Sequence, residues 1–210
     1  MTEKCAIFAG GDTVGREAVD FSFAESSLVI SADRGYELAN SLGIRSDLVM
    51  GDFDSMDKIP QNENVKVFPI EKDDTDLMLA IKEGLAQGCK YFKIYGATGG
   101  RLDHTIGNIQ SLMYLLSKGA VGEIISDKER ITLIKPGRYV FDRREDFTLS
   151  LVSYSEKVEG LTISGTKYEI ADCVLTNEFP LGISNKIISE QAVVEFSQGI
   201  LLVIQSYCPD

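Results

Sequence analysis

Up to about Asp127, short apolar runs alternate along the chain with helix-spaced stretches. Cys5-Ala6-Ile7-Phe8-Ala9 is a continuous apolar run that ends in Gly10-Gly11-Asp12, and Leu28-Val29-Ile30-Ser31-Ala32 is a second. Leu48-Val49-Met50, Val65-Lys66-Val67-Phe68-Pro69, Tyr91-Phe92-Lys93-Ile94-Tyr95 and Glu123-Ile124-Ile125-Ser126 follow in the same manner. Between these runs, Tyr36, Leu38, Ala39 and Leu42 fit one face of a helix from Arg34 to Leu42. Thr75 to Gln87 places Leu77, Ala80, Ile81 and Leu85 together ahead of Gly88, and Ile106 to Leu116 is an apolar helix stopped by Gly119. Strands that are apolar on both sides, separated by crossover helices, predict a parallel α/β sheet covered on both faces.

Beyond Asp127 the helical spacing disappears. Thr132-Leu133-Ile134, Phe147 to Val152, Leu161-Thr162-Ile163, Val193 to Phe196 and Ile200 to Ile204 are short β-rich runs. Pro136-Gly137, Gly160, Gly165, Gly182 and Gln198-Gly199 supply turns between them. Evenly spaced strands of this kind predict a small β-sandwich or barrel. The boundary falls between about Asp127 and Arg138, which divides the chain into an α/β domain over 1–128 and an all-β domain over 129–210.

Composition narrows the function. The 210 residues carry 32 acidic and 21 basic side chains, a net charge of −11. A nucleic-acid partner needs a basic footprint to displace counterions, so that class is disfavoured. No apolar run approaches the roughly 20 residues of a membrane span, and Met1 to Phe8 lacks the pattern of a signal peptide. The expected location is therefore the cytoplasm. Cys5, Cys89, Cys173 and Cys208 are far apart, without a C-x-x-C pair, and read as reduced thiols. Abundant carboxylates have a sharper use: a few of them can hold a divalent cation and so let an acidic protein accept a polyanion.

In open parallel sheets ligands bind beyond the carboxyl ends of the strands, and here those ends are rich in polar groups. The first run leads into Gly10-Gly11-Asp12, the second into Asp33-Arg34-Gly35, and the third into Gly51-Asp52-Phe53-Asp54-Ser55. The fourth precedes Lys72-Asp73-Asp74-Thr75-Asp76, and the fifth enters Gly96-Ala97-Thr98-Gly99-Gly100-Arg101-Leu102-Asp103-His104. In an extended segment Asp52 and Asp54 point the same way, about 7 Å apart. That suits Mg²⁺, which keeps water and takes one or two carboxylates plus phosphate oxygens. The Asp73 to Asp76 cluster also opens a helix, where Asp74 or Thr75 can serve as the cap. The glycines from 96 to 100 expose backbone to phosphate oxygens, and Arg101 can clamp a phosphate bidentately. Asp103 is either a further metal ligand or an orienting group, and His104, the single histidine, a candidate ligand contact.

Taken in series, Asp33-Arg34-Gly35, Gly51-Asp52-Phe53-Asp54-Ser55, Asp73-Asp74-Thr75-Asp76 and Gly99-Gly100-Arg101-Leu102-Asp103-His104 resemble the motifs of thiamine pyrophosphokinases. Gly182-Ile183-Ser184-Asn185 in the β-rich part is similar to that family's thiamine-side Ser-Asn motif, although Lys186 follows where many relatives are acidic. The resemblance spans nearly the whole chain. It implies a Rossmann-like α/β domain, a C-terminal β-sandwich, and a homodimer with active sites at the subunit interface. It further implies transfer of the diphosphate of ATP to the thiamine hydroxyl, with AMP leaving.

On that resemblance, Asp33, Arg34, Gly35, Asp74, Thr75, Thr98, Gly99, Gly100, Arg101 and His104 would bind ATP. Asp52, Asp54, Asp76 and Asp103 would hold Mg²⁺. Ser184, Asn185 and Asp52 would contact thiamine, and Asp52, Asp54, Asp76 and Arg101 would carry catalysis, with Asp52 or Asp76 as the base. Two other classes fit less well. Asp52-Phe53-Asp54 superficially matches the Asp-x-Asp of aspartate-nucleophile phosphatases, but it ends the third strand and not the first. A non-catalytic nucleotide or thiamine sensor would not need so many metal ligands.

Overall fold

The structure, a computed structural model, describes residues 2–51, 64–67, 69 and 73–209. It divides into two compact units, Met1–Asp127 and Lys128–Asp210.

In the first unit, β1 (Lys4–Phe8), β2 (Leu28–Ala32), β3 (Leu48–Gly51), β4 (Val65–Val67), β5 (Tyr91–Tyr95) and β6 (Val121–Ile125) lie in the order β4-β3-β2-β1-β5-β6. Every pairing among them is parallel. Among the described residues four α-helices connect them: α1 (Phe21–Glu25), α2 (Gly35–Ser41), α3 (Asp76–Ala86) and α4 (Leu102–Ser117). Side chains alternate across the β1 backbone, so Ala6 and Phe8 face one way and Cys5 and Ile7 the other. Ala6 and Phe8 share a buried cluster with Ala24 of α1, Leu38 and Ala39 of α2, and Leu42 at the C-cap of α2. On the opposite face Gly84 of α3 comes against Cys5 and Phe92, and Gly122 of β6 against Leu112 and Leu115 of α4. All four cysteines are free thiols, and no helix among the described residues is long and apolar enough to cross a membrane.

Chain order reverses at β1. Its neighbours are β2 on one side and β5 on the other, and β5 arrives only after the strands on the β2 side are complete. A crevice opens at such a switch point, above the carboxyl ends of the two central strands. Gly35 makes the approach of α2 to this edge possible. A Cβ there would run into the Phe8 carbonyl at the end of β1, so the first turn of α2 sits directly against the strand only because the side chain is absent.

The second unit contains strands and no helix among its described residues. β7 (Glu129–Ile134), β13 (Leu201–Tyr207) and β9 (Phe147–Ser153) form an antiparallel set in that order. β11 (Ile170–Thr176), β10 (Lys157–Ser164), β12 (Gln191–Phe196) and β8 (Gly137–Asp142) form a four-stranded antiparallel sheet. Ile134, Leu149, Leu151, Leu201 and Val203 of the first set are buried in one cluster with Val158, Leu161, Leu175, Val194 and Phe196 of the second.

Candidate functional site

The segments following β1 and β5 run alongside each other past the end of the sheet. Ala9 N–H donates to Tyr95 O at 2.8 Å, Gly11 N–H to Gly96 O at 2.7 Å and Asp12 N–H to Thr98 O at 2.9 Å. This close pairing requires glycine: a Cβ on Gly11 would stand 2.5 Å from Gly96 O and 2.6 Å from Thr98 O. Gly99 (φ 84°) and Gly100 (φ 61°) take up left-handed backbone that other residues rarely adopt. From the helix side, Asn108 Nδ2 donates to Ala97 O at 2.8 Å, tying the glycine turn to α4. The loop from 96 to 100 is therefore held on both flanks.

Asp33, at the end of β2, has φ 49°, a region that costs a non-glycine residue energy and persists where the surroundings impose it. Its N–H donates to Met50 O at 2.7 Å, and its carbonyl accepts from Tyr36 N–H at 3.1 Å. A strand-to-helix corner is thereby fixed with Asp33 at its apex. Thr75 caps α3, its Oγ1 accepting from Met78 N–H at 3.2 Å, and Asp76 stands in the first helical turn.

These pieces surround one cleft of about 410 Å³. Asp33, Thr75, Asp76, Thr98, Gly99, Gly100, Arg101, Asp103 and His104, all expected from sequence, line it together. Gly10, Gly11, Gly107 and Asn108 line it too and were not among the expected site residues. The signal for the first two was legible, because Gly10-Gly11 stands at the end of the first strand. Asn108 lies one helical turn after His104, inside an apolar run that reads as core.

The remaining expected residues make contacts of their own. Asp103, expected among the metal ligands, is engaged by its neighbour: Oδ1 accepts from Arg101 Nε at 3.1 Å and Oδ2 from Nη2 at 2.5 Å. Oδ1 also accepts from His104 N–H at 3.0 Å. The Arg101 guanidinium holds the Asp103 carboxyl below the usual carboxylate range, with the His104 N–H contributing in the same direction. Orienting Arg101 is the role this geometry supports. Asp74, expected on ATP, is not on the cleft and pairs with Lys82 Nζ at 2.7 and 2.6 Å. Gly35 is buried against β1, where its part is steric. Arg34 lines a neighbouring cleft. Asp52 and Asp54 lie outside the described residues.

In the β unit, Ser184 is exposed with φ 60°, and its N–H donates to Ser150 Oγ at 3.0 Å. The Asn185 amide is buried and fully occupied. Its Oδ1 accepts from Tyr168 N–H at 3.0 Å and Lys186 N–H at 2.9 Å. Its Nδ2 donates to Thr166 Oγ1 at 3.1 Å and Tyr168 O at 2.8 Å. Contact with a ligand, expected of both residues, is open to Ser184, whereas Asn185 braces the loop that presents it.

The donor set on the cleft fits a hard divalent cation. Asp33 and Asp76 come from different elements on one rim, and the flanking donors are oxygen atoms of hydroxyl and backbone groups. Among the described residues no three His, Cys, Asp or Glu side chains group into a closed cage. An ion here would take the remainder of its shell from phosphate, water, or residues outside the described set.

Comparison with known proteins identifies the lineage. Residues 20–121 match the thiamin pyrophosphokinase catalytic domain, and residues 138–201 match the thiamin pyrophosphokinase vitamin B1 binding domain. The chain is 33% identical over 189 residues to a thiamine pyrophosphokinase of Bacillus subtilis (strain 168), covering 87% of this chain and 88% of that one. A crystal structure of thiamine pyrophosphokinase from Bacillus subtilis superposes with a TM-score of 0.88 at 30% identity, covering 98% of this chain and 100% of that one. One from Geobacillus thermodenitrificans gives 0.82 at 29% identity, covering 97% of each.

Proposed function

The chain belongs to the thiamin pyrophosphokinase family and is an enzyme that makes thiamine diphosphate; from that premise we propose that it transfers the diphosphate of ATP to the thiamine hydroxyl and releases AMP. The observation that carries the ATP half of this reading is the gathering of Asp33, Asp76, the glycine turn and Arg101 around one cleft. A carboxylate rim beside exposed backbone N–H groups and a guanidinium suits a magnesium-complexed polyphosphate. The sensor and phosphatase readings are not favoured by the family assignment.

In-line attack on the β-phosphorus asks the protein mainly for positioning and charge neutralisation. Gly99 and Gly100 offer N–H groups to phosphate oxygens, and Asp103 holds the Arg101 fork ready for bidentate contact. Asp76, with Asp52 and Asp54, is proposed to hold Mg²⁺, which when bound would neutralise charge on the phosphate oxygens. A carboxylate, Asp76 or Asp52, takes the hydroxyl proton. Ser184 is the proposed thiamine contact, held in place by Asn185.

The doubly wound, Rossmann-like description of the first unit rests on its strand order, and the sandwich description of the second on its shared core. A homodimer would draw on apolar groups that the β unit exposes, among them Phe179 (67%) and Ile188 (61%). A cytoplasmic location follows from the reduced thiols and the ATP requirement. The deciding experiment is AMP release from Mg-ATP with and without thiamine. AMP formed only when thiamine is present supports the transfer, and binding without AMP formation refutes it.

A further inference from the structure

At the amino-terminal edge of the first unit's sheet, away from the strand ends that carry the cleft, two thiols meet. Cys5 is the second residue of β1, and Cys89 stands two positions before β5. The parallel register sets Lys4 against Tyr91, which lays the Cys89 segment along the start of β1. Lys90 N–H and Tyr91 N–H both donate to Glu3 O, at 2.7 and 3.0 Å. Cys89 Sγ donates to Lys4 O at 3.4 Å and to Thr2 O at 3.7 Å. Gly84 of α3 brings the pair together from the helix side. A Cβ there would stand 3.1 Å from Cys5 Sγ, and Gly84 O accepts from Cys89 N–H at 3.0 Å. The Cys5 thiol donates to Cys89 Sγ.

Neither thiol has a part in the proposed transfer, and the two are not equivalent. The hydrogen bond from Cys5 draws the Cys89 thiol below its ordinary range, against the opposing effect of burial. The same bond, and then burial, pushes the Cys5 thiol up. Cys89 is thus the partner disposed to react as a thiolate, and Cys5 the one held protonated beside it. A disulfide needs Cβ atoms about 4 Å apart; thiols in hydrogen-bond contact on neighbouring strand ends are near that arrangement. The cover over Cys89 is thin. It consists of Thr2 and Lys4, both half-buried, and Glu3, which is exposed. Local opening of those three residues, far short of unfolding the sheet, admits a small reagent.

We propose that Cys5 and Cys89 are an oxidative modification site, at which hydrogen peroxide converts Cys89 to a sulfenic acid and Cys5 closes it to a Cys5–Cys89 disulfide. In the first step the Cys89 thiolate attacks one peroxide oxygen, the O–O bond breaks, and the departing hydroxide is protonated to water. In the second the Cys5 sulfur attacks the Cys89 sulfur, the S–O bond breaks, and the Cys5 proton leaves with that oxygen as a second water. Sulfur supplies both electrons and peroxide takes them. The bond clasps the amino ends of β1 and β5, whose opposite ends lead into Gly10-Gly11 and the 96–100 turn, so it secures the two central strands without entering the cleft. It also diverts Cys89 from irreversible oxidation. The proposal stands apart from the diphosphate-transfer reading.

The test treats the folded full chain with hydrogen peroxide, alkylates the remaining thiols under denaturing conditions, and maps peptides by mass spectrometry. The wild type is expected to yield a peptide pair joined through Cys5 and Cys89 that dithiothreitol separates. In Cys5→Ser the sulfenic acid has no resolving thiol, and Cys89 is expected to reach sulfinic acid, which dithiothreitol does not restore. In Cys89→Ser, Cys5 is expected to stay a thiol at the same dose. The oxidised wild type should melt about 5 °C or more above the reduced protein. Cys208, which is exposed, reports the dose. Full oxidation of Cys208 with no Cys5–Cys89 link in the wild type overturns the site, and this measurement needs no variant to fold. A link accompanied by a lower melting temperature overturns it too, because the bond would then form only from an opened chain.

Discussion

Gly35→Ala isolates one steric relation on which both clefts depend. The substitution looks benign from sequence: Gly35 is the first residue of a helix, its backbone is not in the left-handed region, and alanine improves helix propensity by at most about 1 kcal/mol. Packing opposes this. The added Cβ would overlap the Phe8 carbonyl and lie 2.7 Å from Ala9 N, and both contacts are backbone at the end of the central strand. No side-chain rotation relieves them. Either α2 or the end of β1 must move by about 1 Å, and overpacking of that kind typically costs 1–3 kcal/mol, occasionally more. The clash outweighs the propensity gain, for a net loss of about 1–2 kcal/mol. At about 2–8 °C per kcal/mol for domains of this size, the first unit should melt several degrees lower by circular dichroism. Because β1 leads directly into Gly10-Gly11, the KM for ATP should rise as well. A variant that melts within 1 °C of the wild type, with an unchanged KM, would show that the close approach of α2 to β1 has been misjudged.

Arg101→Ala should lower kcat/KM for ATP about 100-fold, and Arg101→Lys should recover little of it, since an ammonium cannot reproduce the fork that Asp103 orients; steady-state AMP release reads both. Chelation with EDTA should abolish that release and excess Mg²⁺ restore it, with persistence of activity counting against the carboxylate rim as a metal site. Asn108→Asp keeps the side-chain shape but replaces the donor to Ala97 O by an acceptor; KM for ATP should rise several-fold with KM for thiamine unmoved. Asp20 caps α1 through Phe23 N–H at 2.9 Å and pairs with Lys93 at 2.6 Å. Those contacts, Lys93 foremost, place its folded pKa below the ordinary value of about 3.9. The stabilisation is thus complete above pH 3.9 and is lost as pH falls through the lower folded value. Asp20→Ala should cost about 1–2 kcal/mol at neutral pH, with the deficit shrinking below pH 4 in urea titrations.

Much of the first unit could be read from its pattern because burial on both faces leaves strands continuously apolar. The runs at Cys5, Leu28, Leu48, Val65, Tyr91 and Glu123 all fall within or overlap strands of the structure. α4 begins at Leu102, not Ile106, because its first turn is made of the site residues and carries no apolar periodicity. α1, five residues long, is too short to show any period. In the second unit β8 and β11 escaped detection. They are the two edges of the four-stranded sheet, and residues such as Val140 and Val174 are about half exposed, so no strict alternation marks them. The lining of the cleft was legible where polar residues and glycines follow a strand end, as at Asp33 and the 96–100 turn. Sequence alone does not show which polar groups are bonded within the fold, as Asp74 is to Lys82 and Asn185 is within its loop.

Asn185 shows what such a residue means for the history of the chain. One amide answers four partners, so aspartate would lack the donors, serine the reach, and glutamine the position. Folding by itself is enough to retain asparagine there. A descendant that had abandoned phosphoryl transfer would still keep Asn185 as long as its β unit folded, and loss of the reaction would be written first in Ser184 and the acidic rim.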